Sequence, residues 1–302
     1  MGRFTLLFIW LLVFSKFSLA QSQFDLFFKP SDSLHIPRKN TIILAEATTA
    51  TAALVGLHQL WYADYEKSRF HTINDNNEWL QMDKLGHVFS SYQMGRMGAG
   101  LLHWSGVSKK DQLIYGSTLG FAFLTVVEVF DGYSQEWGFS WGDVLANVSG
   151  TALYTGQELL WDEQRILLKF SFHQTRYAEQ NPDKLGDGFL ENVLKDYNGQ
   201  TYWLSANLQA FFKESKLPKW LNVAFGYGAD GMLTGMNNTD NELLADDSRF
   251  RQYYLSLDVD LSRIKTKSNV LKAIFSTLNF VKIPLPTLEF SKKRCVFHLF
   301  YN

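Results

Sequence analysis

Between positions 41 and 160 apolar residues recur at helical spacing in four long, weakly charged stretches, and beyond Trp161 the period drops to two. The first stretch, Thr41 to Tyr62, is rich in small residues (AEATTATAALVG) and carries Glu46 and His58. The second, Met82 to Trp104, opens on Asp83 and contains Gly95, Gly98, Ala99 and Gly100, which let helices approach closely. The third, Lys109 to Phe130, holds the most apolar run downstream of the leader (GFAFLTVVEVF), and the fourth runs from Ser140 to about Leu160. Ser140 followed three residues later by Asp143 is an N-terminal capping signature. Four helices joined by connections of moderate length predict a bundle.

The alternating pattern is clearest from Gln252 to Ser262. Tyr253, Leu255, Leu257, Val259 and Leu261 alternate there with Gln252, Tyr254, Ser256, Asp258, Asp260 and Ser262, which predicts a half-buried strand with one wet face. Weaker alternation at 167–174, 202–211, 221–229, 287–291 and 294–301 makes six candidate strands. Leu185 to Asp196 and Ser268 to Phe280 read as short amphipathic helices. Six strands predict an antiparallel sheet and fall short of the roughly eight of the smallest outer-membrane barrels, although their aromatic ends keep a barrel as an alternative. The fold class is therefore α+β: a bundle of about four helices, then a strand-rich antiparallel region with short helices.

The first twenty residues change the compartment. Arg3, the apolar run Phe4 to Phe14 and the small-residue site Ser18-Leu19-Ala20 have the layout of a secretory signal peptide. The run is short of the roughly 18 to 20 residues that span a bilayer. Lys16, between the run and the cleavage site, is unusual and leaves an uncleaved anchor as the alternative. The expected organisation is 1–20 signal peptide, 21–40 extended leader, 41–160 helical bundle and 161–302 β-rich region. The product is expected beyond the cytoplasm, with inner or outer membrane left open. Each helical stretch is also about long enough to cross a bilayer. Glu46, Arg96 and Asp143 would be costly in lipid unless they face the bundle interior, while 120–130 offers little polar surface to water. A membrane-associated bundle is the reading adopted, with a soluble buried bundle as the alternative.

Composition narrows the classes. The chain has 302 residues, 46% of them hydrophobic, enough for a sizeable core, and a net charge of -1 that gives no electrostatic case for nucleic-acid binding. The single cysteine, Cys295, excludes an internal disulfide and a multi-cysteine metal site, and reads as a small packed side chain in a strand. No Gly-x-Ser-x-Gly elbow, Walker loop or dinucleotide fingerprint occurs. The acidic run at 237–247 lacks EF-hand spacing and reads as a solvated turn.

Candidate chemistry gathers on the second to fourth helices. Asp83 and His87 stand i, i+4 with Lys84 beside them; Glu128 and Asp131 stand i, i+3; Asp143 and Asn147 stand i, i+4, with Gly150 continuing the stripe. On such apolar helices an ionised group must be paired, hydrogen-bonded or metal-bound. Three readings stay open. In a structural network, Lys84 and Arg96 neutralise carboxylates and Asn147 joins helices. In a metal or acid–base centre, His87, Asp83, Glu128 and Asp143 hold a divalent cation, with Asp131 a further catalytic candidate, and support hydrolysis of a phosphate or ester headgroup. In a binding site without turnover, Lys84, Arg96 and Asn147 contact a lipid or glycan headgroup. The sequence requires no cofactor. His58, His71, His103, His173 and His298 are scattered and read as interface or surface residues. Glu136, Trp137 and Trp141 suit a loop at an interface or over the bundle mouth. The sequon Asn147-Val148-Ser149 would be unreachable on a buried helix.

The blocks Asp83-Lys84-Leu85-Gly86-His87, Glu128-Val129-Phe130-Asp131 and Ser140 to Gly150 (SWGDVLANVSG) together resemble the YfiM-type family, a domain of unknown function described as predicted periplasmic lipoproteins. They are more distantly similar to VanZ-like membrane proteins, which share the order Asp-Lys-x-x-His, acidic helix end, Asp-x-x-x-Asn-x-x-Gly. The resemblance covers roughly residues 40 to 160. It implies a bacterial envelope protein with Asp83, Lys84, His87, Glu128, Asp131, Asp143, Asn147 and Gly150 as signature positions, and names no activity. The lipobox cysteine of a lipoprotein is missing, so the lipid anchor does not carry over. VanZ-like proteins are associated with glycopeptide resistance, which suggests a cell-envelope lipid or glycan ligand. The expectation is an envelope protein that binds or organises lipid or cell-wall components; the alternative is a metal-assisted hydrolase of lipid-linked phosphate or ester groups.

Overall fold

The computed structural model describes residues 23–63, 65–236 and 249–301; the expected signal peptide at 1–20 and the acidic turn at 237–247 lie outside the described residues. Helix α1 spans Ile36–Leu57, five residues ahead of the predicted start, because Pro37 suits a first helical turn and His35 caps it, Nδ1 accepting from Arg38 N. The leader is not extended throughout. Residues 23–27 are helical, and Asp25 accepts from Ser268 Oγ and Val270 N, which ties this turn to the C-terminal half.

Strand β1 (Thr72–Ile73) pairs in parallel with β2 (Phe139–Ser140) and brings the polar run at 74–77 against the start of the fourth helix. Helix α2 is Met82–Trp104, with the predicted bounds. Helix α3, Leu119–Asp131, ends the helical stretch that begins at Lys109. Helix α4, Trp141–Trp161, is capped as expected, Ser140 Oγ accepting from Asp143 N at 3.2 Å. The helices meet at small residues: a Cβ on Gly150 would stand 2.1 Å from Val88 O, and one on Gly95 2.4 Å from Ser117 O. Gly100, expected to join them, has nothing within 4 Å and takes no part in the packing.

From Ile166 the chain forms a six-stranded antiparallel meander in sequence order. The strands are β3 (Ile166–Phe172), β4 (Gln200–Asn207), β5 (Leu221–Asp230), β6 (Phe250–Val259), β7 (Leu285–Ser291) and β8 (Arg294–Tyr301), with helices α5 (Phe189–Lys195) and α6 (Asn269–Leu278) in its connections. The predicted run to 211 stops at Asn207, whose side chain caps a helical turn by accepting from Ala210 N. The sheet curls strongly. Lys169 Nζ on β3 reaches Asp258 on β6 at 2.9 Å, and the rings of Trp203 on β4 and Tyr301 on β8 lie 5.9 Å apart. The chain entering β7 bonds to the outer edge of β3, Phe170 N donating to Phe280 O and Lys282 N to Phe170 O.

This curl reverses one expectation. In β6 the polar row, with Ser256 and Asp258, is buried, and the apolar row of Tyr253, Leu255 and Leu257 is exposed. The interior instead packs Trp203 and Tyr254 with a polar set, in which Asp258 pairs with Lys169 and accepts from Ser205 Oγ. Cys295, expected to be packed, is exposed, because β8 lies at the sheet edge. Helices and sheet join through the outer face of β3 and β4, where Phe89 packs on Phe170 and Tyr202 and Gln93 Nε2 donates to Leu168 O.

Candidate metal centre

Three helix ends converge on one cage. α2 brings Asp83, Lys84 and His87 in its first two turns, α3 brings Glu128 and Asp131 in its last, and α4 brings Asp143 and Asn147 in its first two. The segment leading into α2 is wound left-handed over three consecutive residues, Trp79, Leu80 and Gln81, at φ of 47°, 50° and 66°. Non-glycine residues there cost of order 1 kcal/mol or more each and persist only where the surroundings enforce them. Tyr227 OH donates to Leu80 O and Trp79 N to Gly235 O, so the sheet half holds the turn that sets Asp83 in place.

Lys84 is fully engaged. Its Nζ stands 2.8 Å from Asp75, 3.1 Å from Asp83 and 2.8 Å from Asp143 Oδ1. Burial alone would lower its pKa; Asp83, Asp143 and Asp75 outweigh that and raise it. Burial also pushes the Asp143 carboxyl up, with the charge of Asp83 beside it, to about 7. The Asp83 carboxyl is lowered: burial opposes ionisation, but His87, Lys84 and the Tyr197 hydroxyl, which donates to Oδ1 at 2.9 Å, prevail.

His87 lies at the centre. Its Nδ1 is 3.0 Å from Asn147 Oδ1 and must be the donor, since an amide oxygen only accepts. Its Nε2 then faces three carboxylates, Glu128 at 3.6 Å, Asp83 at 3.7 Å and Asp143 at 3.8 Å. One ligand atom from each of Asp83, His87 and Asp143 fits within a span of 4.8 Å. A shared cation about 2.1 Å from each donor would set the donors about 3 to 3.5 Å apart, a small contraction of what is seen. Asn147 Nδ2 is buried without a hydrogen-bond partner, and the buried Asp143 Oδ1 has only the ammonium of Lys84, at 2.8 Å. Glu128, also buried, accepts from Ser140 N at 3.1 Å.

The structure thus gathers Asp83, Lys84, His87, Glu128, Asp131, Asp143 and Asn147. Arg96 stands apart: three turns along α2, it donates to Gln93 Oε1 and to Ser276 O and neutralises no carboxylate of the cage. Sequence reasoning missed Asp75, which pairs with Lys84 and accepts from Ser140 Oγ at 2.6 Å, though the polar run Asn74-Asp75-Asn76 was a signal for it. It also missed Tyr62, which donates to Asp131 at 2.6 Å, and Tyr197, which comes from the other half and left no local signal. Of the remaining candidates, His298 pairs with Glu289 at 2.8 Å, Glu136 pairs with Lys184, Trp137 packs on Tyr62 and Tyr65, and Trp141 is exposed.

No curated protein and no solved structure matches the chain. Residues 72–156, which carry every cage residue except Tyr62 and Tyr197, match the family described as predicted periplasmic lipoprotein (DUF2279).

Proposed function

We propose that this is an exported, membrane-associated bacterial envelope protein whose helical core holds a divalent cation and, through it, an anionic headgroup of a lipid or cell-wall component. The family description supports the exported, envelope-associated part. The observation that carries the rest is His87 Nε2, held by its own Nδ1 bond to face three carboxylates at 3.6 to 3.8 Å. One imidazole with carboxylates suits zinc or manganese. Lys84 is consumed by three aspartates and Arg96 lies elsewhere, so an anion would meet the cation rather than these side chains. A pocket of about 360 Å³, lined by aromatic residues including Tyr65, Phe130 and Tyr133, shares Tyr62 with the Asp131 side of the cage and offers room for such a ligand.

The test is calorimetric titration of chelator-stripped full-length protein with Zn²⁺, Mn²⁺, Mg²⁺ and Ca²⁺ in turn. One site per chain is expected for at least one of them, abolished by His87→Ala and by Asp83→Asn. Wild-type protein that binds none of the four sinks the reading. Metal-assisted hydrolysis of lipid-linked phosphate or ester groups is the second reading. It is favoured by the partial exposure of Asp83 and His87, which leaves one side of the centre open, as catalytic sites require. It expects chelator-sensitive hydrolysis of a phosphate or carboxyl ester that the same substitutions remove.

A further inference from the structure

The curled sheet carries a second message, independent of the cage. Its inner face is rich in buried polar groups, while its outer face, away from the part of β3 and β4 that packs on α2, is apolar and open: Asp258 is 0% exposed, whereas Phe225 is 59% and Leu257 44% exposed. Water as the surrounding medium would select the opposite arrangement. We propose that the outer wall of this sheet, with helix α1 and the stretch Lys109–Asp131, faces the acyl chains of a lipid bilayer. This extends the membrane association proposed above and rests on none of the metal ligands.

Composition and dimensions of the wall fit that occupant. Tyr202 is covered by α2, and beyond it the outward residues Leu204, Ala206, Leu221, Val223, Phe225, Tyr227 and the row from Tyr253 to Val259 are all apolar or aromatic. Charge returns only at the strand ends: Arg251 stands at one end, where it donates to Tyr227 OH, and Lys219 precedes β5 at the other. Aromatic side chains mark both limits. Tyr227 and Tyr253, ring centroids 5.5 Å apart, stand at the Arg251 end, and the exposed Trp220 stands at the Lys219 end. At about 3.4 Å per residue the span from Trp220 to Tyr227 is about 24 Å, close to the apolar band of about 25 Å between the aromatic girdles of outer-membrane barrels. β5 and β6 have ten residues each, within the roughly 9 to 11 of a strand that crosses a bilayer at a tilt.

The inner face meets the demand that lipid makes on polar groups, because its charges are matched inside the curl. Lys169 Nζ bonds Asp258 and Val259 O, and Lys282 Nζ bonds the carbonyls of Leu257 and Ile283. Two stretches of the helical half are apolar and open as well. Ile36–Leu57, of 22 residues and mean hydropathy 1.3, and Lys109–Asp131, of 23 residues and mean hydropathy 1.7, are mostly unburied and long enough to cross a bilayer. Open apolar faces on the sheet and, separately, on two helices suit a medium that wraps the molecule; a second copy would cover one of them.

The experiment uses full-length protein in vesicles of phosphatidylethanolamine and phosphatidylglycerol, purified by flotation. Cys295→Ser removes the native thiol, and Phe225→Cys, Leu255→Cys, Leu257→Cys and Lys216→Cys each carry one spin label. Labels at 225, 255 and 257 are expected to collide with oxygen in preference to a water-soluble nickel chelate, and the label at 216 to show the reverse. Outward labels that prefer the nickel chelate in floated protein overturn the lipid-facing wall and leave membrane association standing. Protein that does not float overturns both. Labels shielded from both reagents, and broadened by like labels nearby, would assign the wall to a second copy and overturn the proposal in that way. None of these outcomes bears on cation binding, which the titration reads separately.

Discussion

The helical cage and the curled sheet both bury charge, and they do so with opposite balances. In the cage, Asp75, Asp83, Glu128, Asp131 and Asp143 stand against Lys84 and His87, so negative charge is in excess. Around Asp258 inside the sheet, Lys169 and Lys282 stand against one carboxylate, so positive charge is locally in excess. The surplus in the sheet is satisfied by fixed acceptors: Lys282 bonds two carbonyls and lies 4.9 Å from the ring centroid of Trp203. The surplus in the cage has no such answer. Its neutral donors are Ser140 N and Oγ, Tyr62 OH and Tyr197 OH, and Asp143 Oδ1 has only the Lys84 ammonium that it shares with Asp75 and Asp83. Excess that the fold itself satisfies is architecture; excess that it leaves over is what a cation would meet.

The largest effect should come from the sheet. Asp258→Ala leaves Lys169 and Lys282 without the carboxylate between them, and a loss of about 3 to 5 kcal/mol is expected. Denaturant unfolding followed by tryptophan fluorescence would read it, and added divalent cations should restore nothing. A loss below about 1 kcal/mol would mean that the carbonyls suffice and that the contrast between the two regions is overdrawn.

In the cage, Lys84→Met should cost about 3 kcal/mol in the presence of chelator, since three aspartates lose their shared partner. Here the cation that the wild type binds should restore most of the stability. Failure of rescue would place the cage in the same structural class as the sheet interior.

The third effect is the sharpest in sign. Burial raises the Asp143 carboxyl from 3.8 to about 7, so folding favours its protonated form. The stability this contributes is fully present below 3.8 and is lost as pH rises through 7. Melting temperatures of chelated protein should therefore fall across that interval through this group, and Asp143→Asn should flatten that part of the profile. An unchanged slope in the variant would assign the dependence to other carboxylates.

Much of the local architecture was legible. The bounds of α2, the Ser140 cap and all six strands follow from spacing and capping chemistry that act within a few residues. The i, i+3 and i, i+4 pairs on three helices brought most of the cage into view, because residues at that spacing share a helix face wherever the helix packs. Arg96 was misplaced for the complementary reason: it is 12 positions beyond Lys84, and only the packing of α2 against the end of α6 gives it Ser276 O as a partner. Tyr197 reaches the cage from the sheet half, which no local pattern encodes, and Asp75, though marked by a polar run, is set beside Lys84 by the long-range pairing of β1 with β2.

By itself the sequence determined which residues form helices and strands, and which side chains share a face, since helical and strand periodicity are properties of a short segment. Tertiary structure alone decided that Asp83, His87, Glu128 and Asp143 converge on one point and that Asp258 turns inward while Leu257 turns outward. Alternation separates polar from apolar rows without saying which row meets the protein. That choice falls to the curl of the sheet, which gives Asp258 partners on a strand three places away, and to the medium that surrounds it.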